Sequence, residues 1–371
     1  MLFFDEQEYL TIARNLIAYG IYGYELGVPS AARPPGYIFF IAPIVALGLD
    51  KPAIVLVQIL LWGGSLYLTG LISCQMRGPR AGALAIVFAI LYPLCSFVTL
   101  TVYPQILTAV LILLFVWILV KNRDNLLDTQ GSILIGIVSG LTILLSPIIL
   151  PVFFGMLVFL SFSSLPFFSF RNFRPSLIAI LVSCCFVLPW IGRNWIVMGT
   201  TSISTIVGFN LLYGNSENAA PELGTTASID QYADAVRGMN EVEADRAFRS
   251  FAVDWASNNP LAATKLYFGK FLQFFAYKEV LRTQMAGVDS FQAIVAISYY
   301  PLLLLSAVGV IYFAATKTNR GEITIWLMYL SVAAVHAVFL QRLRYRVEVD
   351  FLMIVIAANF LAAMFPAKFR S

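Results

Sequence analysis

Charge is scarce in this chain. Only 12% of its 371 residues are Asp, Glu, Lys or Arg, where a soluble domain carries roughly a quarter. With 60% hydrophobic residues and a mean hydropathy of +0.82, its main solvent is lipid. Histidine is nearly absent: His336 stands alone, which excludes a His-rich metal site and a Cys/His catalytic pair. The four cysteines, Cys74, Cys95, Cys184 and Cys185, lie in apolar runs without metal-ligand spacing and read as small buried hydrophobes. The opening MLFFDEQEY has no basic n-region, so no cleavable signal peptide is expected. The net charge of +4 is small and spread over short loops, which speaks against nucleic acid as a partner.

Long apolar runs are what the chain does have. They predict spans near 54–75, 81–100, 104–121, 131–147, 149–168, 176–197, 294–316, 323–341 and 349–367. Residues 37–49 are too short to cross. Residues 262–276 carry Lys265 and Lys270 and read as an interfacial helix.

Lys and Arg in short loops mark the cytoplasmic side. With residue 50 outside, those loops hold Arg77 and Arg80, Lys121 and Arg123, Arg171 and Arg174, Lys317 and Arg320, and Lys368 and Arg370. The outer turns 100–104 and 147–150 then hold no charge, and one extra crossing at 37–49 would invert the pattern. Segments 1–50 and 198–262 fall outside, together with a basic turn holding Arg342, Arg344 and Arg346. A basic turn on that face suits an anionic ligand or snorkels to headgroups.

Residues 5–19 predict an amphipathic helix at the interface, with Tyr9, Ile12, Ala13, Leu16 and Tyr19 at helical spacing. Asp5 with Glu8 fits a capping box. A carboxylate there can equally serve as a general base, or hold a divalent cation with Glu6 or Glu8. Pro34 and Pro35 hold Arg33 extended, at a height that suits a lipid phosphate or simple snorkelling. Asn194, Asn210 and Asn215 can bond a sugar or cap a loop. Residues 241–260 predict an amphipathic helix on Ala244, Phe248, Phe251 and Trp255 that covers the outer cavity with solvated charges. His336 reads as a satisfied core histidine, and Gln105 can face the cavity.

In order along the chain stand Asp5-Glu6 with Glu8-Tyr9, then Arg33-Pro34-Pro35-Gly36-Tyr37. Arg193-Asn194, Gly208-Phe209-Asn210-Leu211 and Gly214-Asn215 follow, with Arg344-Tyr345-Arg346 before the last span. This set resembles the GT-C membrane glycosyltransferases, in the branch of protein O-mannosyltransferases and the lipid A aminoarabinose transferase, from Asp5 to about Ala358. The resemblance implies an all-α, polytopic helical bundle with outer juxtamembrane helices. It divides the chain into a first outer loop (1–50), transmembrane helices (51–197), an outer loop with interfacial helices (198–290) and C-terminal transmembrane helices (291–371).

It further implies an inverting enzyme of the plasma membrane, working on the extracytoplasmic face with a polyprenyl-phosphate sugar donor. The acceptor would be a protein, a lipid or a cell-wall glycan. Asp5, with Glu6, maps to the catalytic position. Arg33, Arg344 and Arg346 map to the donor phosphate, and Glu8, Tyr9, Tyr37, Asn210 and Asn215 to substrate binding. Relatives carry a first span before the acidic motif, whereas this sequence begins four residues before it, so that span is expected to be lacking. Gln105 stands where many relatives carry an acidic residue, which leaves the metal open. Two alternatives remain: another lipid-linked glycan polymerase or ligase, and a transporter or flippase. The second would need ionisable residues in mid-span and repeated halves, and neither is evident.

Overall fold

The computed structural model describes residues 4–122, 128–162, 170–278, 288–316 and 321–365. Its helices in chain order are α1 (Phe4–Tyr19), α2 (Pro35–Ala46), α3 (Lys51–Arg77), α4 (Pro79–Ile90), α5 (Pro93–Thr99), α6 (Gln105–Lys121), α7 (Thr129–Leu145) and α8 (Leu150–Phe162). Then come α9 (Phe170–Met198), α10 (Val207–Gly214), α11 (Glu241–Asn258), α12 (Pro260–Gln273), α13 (Val288–Thr316), α14 (Gly321–Val338) and α15 (Leu343–Met364). The described residues form no strand, only one isolated bridge between Glu25 and Val28.

Five helices are long and apolar enough to cross a membrane: Lys51–Arg77, Phe173–Met198, Ser290–Thr316, Gly321–Val338 and Leu343–Met364. The chain is a multi-pass integral membrane protein. The other expected spans take different forms. Residues 81–100 break into α4 and α5, bent by 61°. Pro93 has no N–H and disfavours helical backbone at the residue before it, and Tyr92 is extended. Helices α6 and α7 have 17 residues each, about 26 Å against a hydrocarbon core of about 30 Å. Of the stretch 149–168, residues 163–168 lie outside the described residues, as do Arg123, Lys317, Arg320, Lys368 and Arg370.

The last span starts six residues before the expected 349, at Leu343. Arg344 and Arg346 therefore sit on the first turns of a helix and not on a loop. Helix α15 is the axis of the bundle, packed by α3, α4, α6, α13 and α14. Every residue from Arg346 to Phe360 is buried, as befits a helix enclosed on all sides.

The two ends of the bundle differ. At one end Arg77 pairs with Glu322 at 2.7 Å and lies over the Phe313 ring. At the other gather the starts of α3, α6 and α15, the ends of α7 and α9, and the segments around α1, α2 and α10–α12. Helix α2 has 12 residues and does not cross. Gly36 at its start abuts Leu144 at the end of α7, and Lys51 just beyond it reaches Glu6 of α1. Helix α12 follows the expected interfacial segment, but Lys270 is 1% exposed and not snorkelling. Helix α11 carries a complete capping box on Asn240 and Glu243. Its charges are only partly solvated: Glu241 accepts from the Ala31 N–H at 2.8 Å and Asp245 from the Gly208 N–H at 2.6 Å.

Candidate functional site

Helix periodicity puts residues 5, 8, 9 and 12 of α1 on one face and turns residue 6 about 100° away. Tyr9 and Ile12 anchor that face in the core. The loop 20–34 then folds back on α1. Asn15 donates to the carbonyls of Gly23 and Tyr24, and the Ser30 N–H to that of Tyr22. Tyr22 Oη donates to the Arg33 carbonyl at 2.9 Å. The Pro34–Pro35 pair starts α2 directly after it, with Pro34 at φ −59° and ψ 145°, so Arg33 is presented from a rigid backbone.

Arg33 Nη2 donates to Asp5 Oδ1 at 2.8 Å and Arg33 Nε to Glu8 Oε2 at 2.8 Å. Arg344 Nη2 reaches the other Asp5 oxygen, Oδ2, at 2.5 Å. The Asp5, Glu8, Arg33 and Arg344 side chains are 22%, 21%, 13% and 22% exposed, so the cluster sits in a recess that a ligand can reach. Aromatic rings wall it: Arg33 lies 5.3 Å from the Tyr9 centroid and Arg344 4.4 Å from that of Tyr103. Burial alone would raise the Asp5 pKa. The Arg344 and Arg33 guanidiniums outweigh it and hold the carboxyl at about 2. Asp5 is thus an ionised acceptor bridging two cations, not a helix cap.

Glu6 faces the other way. It is fully buried, takes the Lys51 ammonium at 2.7 and 3.0 Å, and accepts the Val102 N–H at 2.7 Å. This carboxylate bolts α1 to α3 and to the 100–104 turn, so the expected catalytic pairing of Asp5 with Glu6 does not form. Tyr37 is 1% exposed, and its hydroxyl donates to Gln58 at 2.6 Å. Tyr9 meets Tyr37 and Tyr103 edge-on at 5.1 and 6.5 Å. These rings shape the recess, and Tyr9 and Tyr103 meet the ion cluster through their faces, under Arg33 and Arg344 respectively.

Arg346 belongs to a second cluster, because two residues along a helix the side chain points about 200° away from that of Arg344. It is 1% exposed, and all three of its nitrogens are engaged. Nε meets Asp350 at 3.1 Å and Nη2 the Tyr92 hydroxyl at 3.1 Å, while Nη1 donates to the carbonyls of Phe274 and Ala276. Arg346, expected with Arg344 at the donor phosphate, is thus turned away from the Asp5 recess and fully engaged by protein acceptors. Asn215 donates to Leu211 and Val338 carbonyls at 2.8 Å each, at the end of α10. Asn210 is half-buried on α10. His336 is buried as expected, but neither ring nitrogen has a hydrogen-bond partner; it stacks on Tyr345 at 5.3 Å. Gln105 is buried with its Oε1 unpartnered. Among the described residues no group of three or more His, Cys, Asp or Glu side chains converges as a metal site.

Beside the ion cluster opens an apolar groove of about 600 Å³, walled by Leu16, Tyr22, Pro35, Phe39, Phe186 and Trp190, with Arg193 also lining it. Arg193 lies 4.9 Å from the Trp190 centroid and donates only to neutral acceptors, the Ser30 and Tyr22 carbonyls, the Asn194 amide oxygen and the Met198 sulfur.

No protein-family model matches the chain, and no curated protein sequence does either. Solved structures do. The chain is similar to ArnT from Cupriavidus metallidurans bound to undecaprenyl phosphate, at 12% identity and a TM-score of 0.50, over 98% of this chain and 74% of that one. It is similar to the oligosaccharyltransferase AglB from Archaeoglobus fulgidus, solved with an inhibitory peptide and a dolichol-phosphate, at 11% identity and a TM-score of 0.52. A second structure of the Archaeoglobus fulgidus oligosaccharyltransferase, tethered to an acceptor peptide containing the NVT sequon, gives 13% identity and a TM-score of 0.55. The fold is that of the GT-C membrane glycosyltransferases. The chain covers 97% of itself in both oligosaccharyltransferase matches but only 46% and 45% of those longer chains.

Within this GT-C fold, sequence reasoning missed Lys51, Tyr103 and the groove. Lys51 reads as the polar edge of a span, since nothing local shows that Glu6 lies against it. Arg193 stands in the ordered set of motifs without a role, and its signal is an arginine within the last turns of a span, three residues after Trp190.

Proposed function

We propose that the protein is an inverting glycosyltransferase that moves a sugar from a polyprenyl-phosphate donor to an acceptor hydroxyl on the extracytoplasmic face. The observation that carries this reading is the Asp5 carboxylate held between Arg33 and Arg344, in a recess beside an apolar groove. Two cations near an apolar groove, joined to it through Pro35 and through Tyr22 on the Arg33 carbonyl, suit a ligand with an anionic head and a hydrocarbon tail. ArnT and AglB, which share the fold, were solved with undecaprenyl phosphate and dolichol-phosphate respectively.

In the free protein both guanidiniums lie on Asp5. A donor phosphate entering the recess competes for them, and the carboxylate is released as the cations turn to the phosphate. Asp5 then accepts the proton of the acceptor hydroxyl while the oxygen attacks the anomeric carbon. The carbon–oxygen bond to phosphate breaks, its electron pair leaves with the polyprenyl phosphate, and Arg33 and Arg344 neutralise the growing charge. One carboxylate suffices, because no covalent intermediate forms. Bound donor is a precondition for a free base, so the donor binds before the acceptor reacts.

The test supplies radiolabelled polyprenyl-phosphate sugars to membranes with and without the protein, followed by mass analysis of the product. Label moved to a new species only when the protein is present supports the reading. No protein-dependent transfer from any polyprenyl-phosphate sugar overturns it. Labelling of single cysteines at position 50 with a membrane-impermeant reagent on whole cells checks the sidedness.

A further inference from the structure

Lys270 is fully enclosed, yet among the described residues no carboxylate pairs with it. Its ammonium donates to the Gly214 carbonyl at 2.7 Å, the Phe339 carbonyl at 2.8 Å, the Asn215 amide oxygen at 3.1 Å and the Val338 carbonyl at 3.4 Å. Gly214 and Asn215 end α10, and Val338 and Phe339 end α14. Two helix C-termini, each carrying partial negative charge on its unpaired carbonyls, therefore converge on one cation. The backbones press together there: a Cβ at Gly214 would come within 1.7 Å of the Phe339 oxygen. Asn215 adds its own bond to Val338 at 2.8 Å.

The connector 339–342 leaves this knot and enters α15, whose second residue is Arg344. Two residues further on, Arg346 grips the turn that follows α12, through Phe274 at 3.2 Å and Ala276 at 2.8 Å. The α12 segment is thus fastened on both sides of Arg344, by Lys270 before it and by the 274–276 carbonyls after it. Neither fastening touches the recess itself.

We infer that Lys270 is a positioning residue: with Asn215 and Arg346 it braces the first turn of α15 so that Arg344 meets the charge bound at Asp5. The inference rests on the donor-phosphate reading of that recess. A cation held out of water must be compensated on several sides, and here the compensating oxygens belong to the segment that aims Arg344. Loosening it lets the guanidinium drift, and a shift of about 1 Å at such a site costs on the order of 100-fold.

The test measures binding of undecaprenyl phosphate and of neutral undecaprenol to the purified full chain in detergent. Lys270→Met is expected to weaken undecaprenyl phosphate roughly ten- to hundredfold, with undecaprenol affinity unchanged. Asn215→Ala, which removes one acceptor of the knot and its bond to Val338, should show the same selectivity at smaller size. Leu261→Ala, on the exposed face of α12, should match the wild type. A general structural fault would weaken both ligands alike, and that result overturns the brace, as does unchanged undecaprenyl phosphate affinity in Lys270→Met. Should Lys270→Met fail to fold, Asn215→Ala decides by the same criterion. Wild-type protein that does not bind undecaprenyl phosphate would instead overturn the donor reading, which separates the two failures.

Discussion

Asp5 and Arg344 are separated by 339 positions in the chain and meet at 2.5 Å. With Arg33 on its other oxygen, the Asp5 carboxylate joins the first described turn of the chain to the first turn of the last described helix. Asp5→Asn keeps the shape and removes the base. Transfer is expected to fall by about 10²–10⁴-fold, while undecaprenyl phosphate binds at least as well because its cations no longer have a competing carboxylate. Turnover near the wild-type level would remove Asp5 from the mechanism.

The pH dependence follows from the same pair. In the free protein Asp5 titrates at about 2, so in the wild type kcat/KM, which reports the free enzyme, shows no acid limb from Asp5 near neutral pH. Arg344→Gln removes the nearer of the two opposing cations and lets burial raise the pKa. The base is active only when ionised, so an acid limb should move upward into the measurable range. The wild-type Asp5 pKa is below the unfolded value of 3.8, so its pairing stabilises the fold above that pH and is lost as pH falls towards 2. Melting curves in detergent from pH 5 downward check the second point. An Arg344→Gln rate profile with no upward shift would contradict the first.

Glu6 should behave as structure and not as chemistry. Lys51→Met leaves its fully buried carboxylate without a cation, a change that costs about 3–5 kcal/mol in comparable sites. Glu6→Gln with Lys51→Met together should recover much of that loss and retain transfer, measured as activity per folded molecule. A double variant that melts like the wild type but transfers nothing would return Glu6 to the catalytic set.

Gly36 is required by proximity. A Cβ there would lie 2.9 Å from both the carbonyl carbon and oxygen of Leu144, which are backbone atoms that cannot swing aside. Gly36→Ala is expected to cost about 1–3 kcal/mol and to push α2, with Arg33 just before it, off α7. The combined signature is a lower melting temperature and weaker undecaprenyl phosphate binding. A variant with neither change would mean that α2 shifts freely.

The apolar runs that became α3, α9, α13 and α14 were legible because each crosses on hydropathy alone. So was the gathering of residues 5, 33 and 344 at one end, through loop charge and family resemblance. Two kinds of feature were not legible. Pro93 splits a continuous apolar stretch, and hydropathy averages over it. The start of α15 was hidden because Arg342, Arg344 and Arg346 read as a basic turn, whereas Arg346 is paired with Asp350, which accepts the Tyr92 hydroxyl at 2.7 Å from 258 residues away. Lys270 failed for the same reason: a lysine on an amphipathic stretch reads as snorkelling until the two helix ends that surround it are known. Charge in this chain is informative only once the long-range partner is in view.

Helix α15 finally bears on how the protein is made. A segment that begins Leu343-Arg344-Tyr345-Arg346-Val347-Glu348-Val349-Asp350 carries four charges in its first eight residues and partitions poorly into lipid by itself, since charged residues are costly to insert. Its partners on α3, α4, α6, α13 and α14 are all synthesised before it. Tyr92, Tyr299 and Tyr329 around it form a polar seam that takes its arginine and aspartate, so stable insertion of α15 is expected to depend on them.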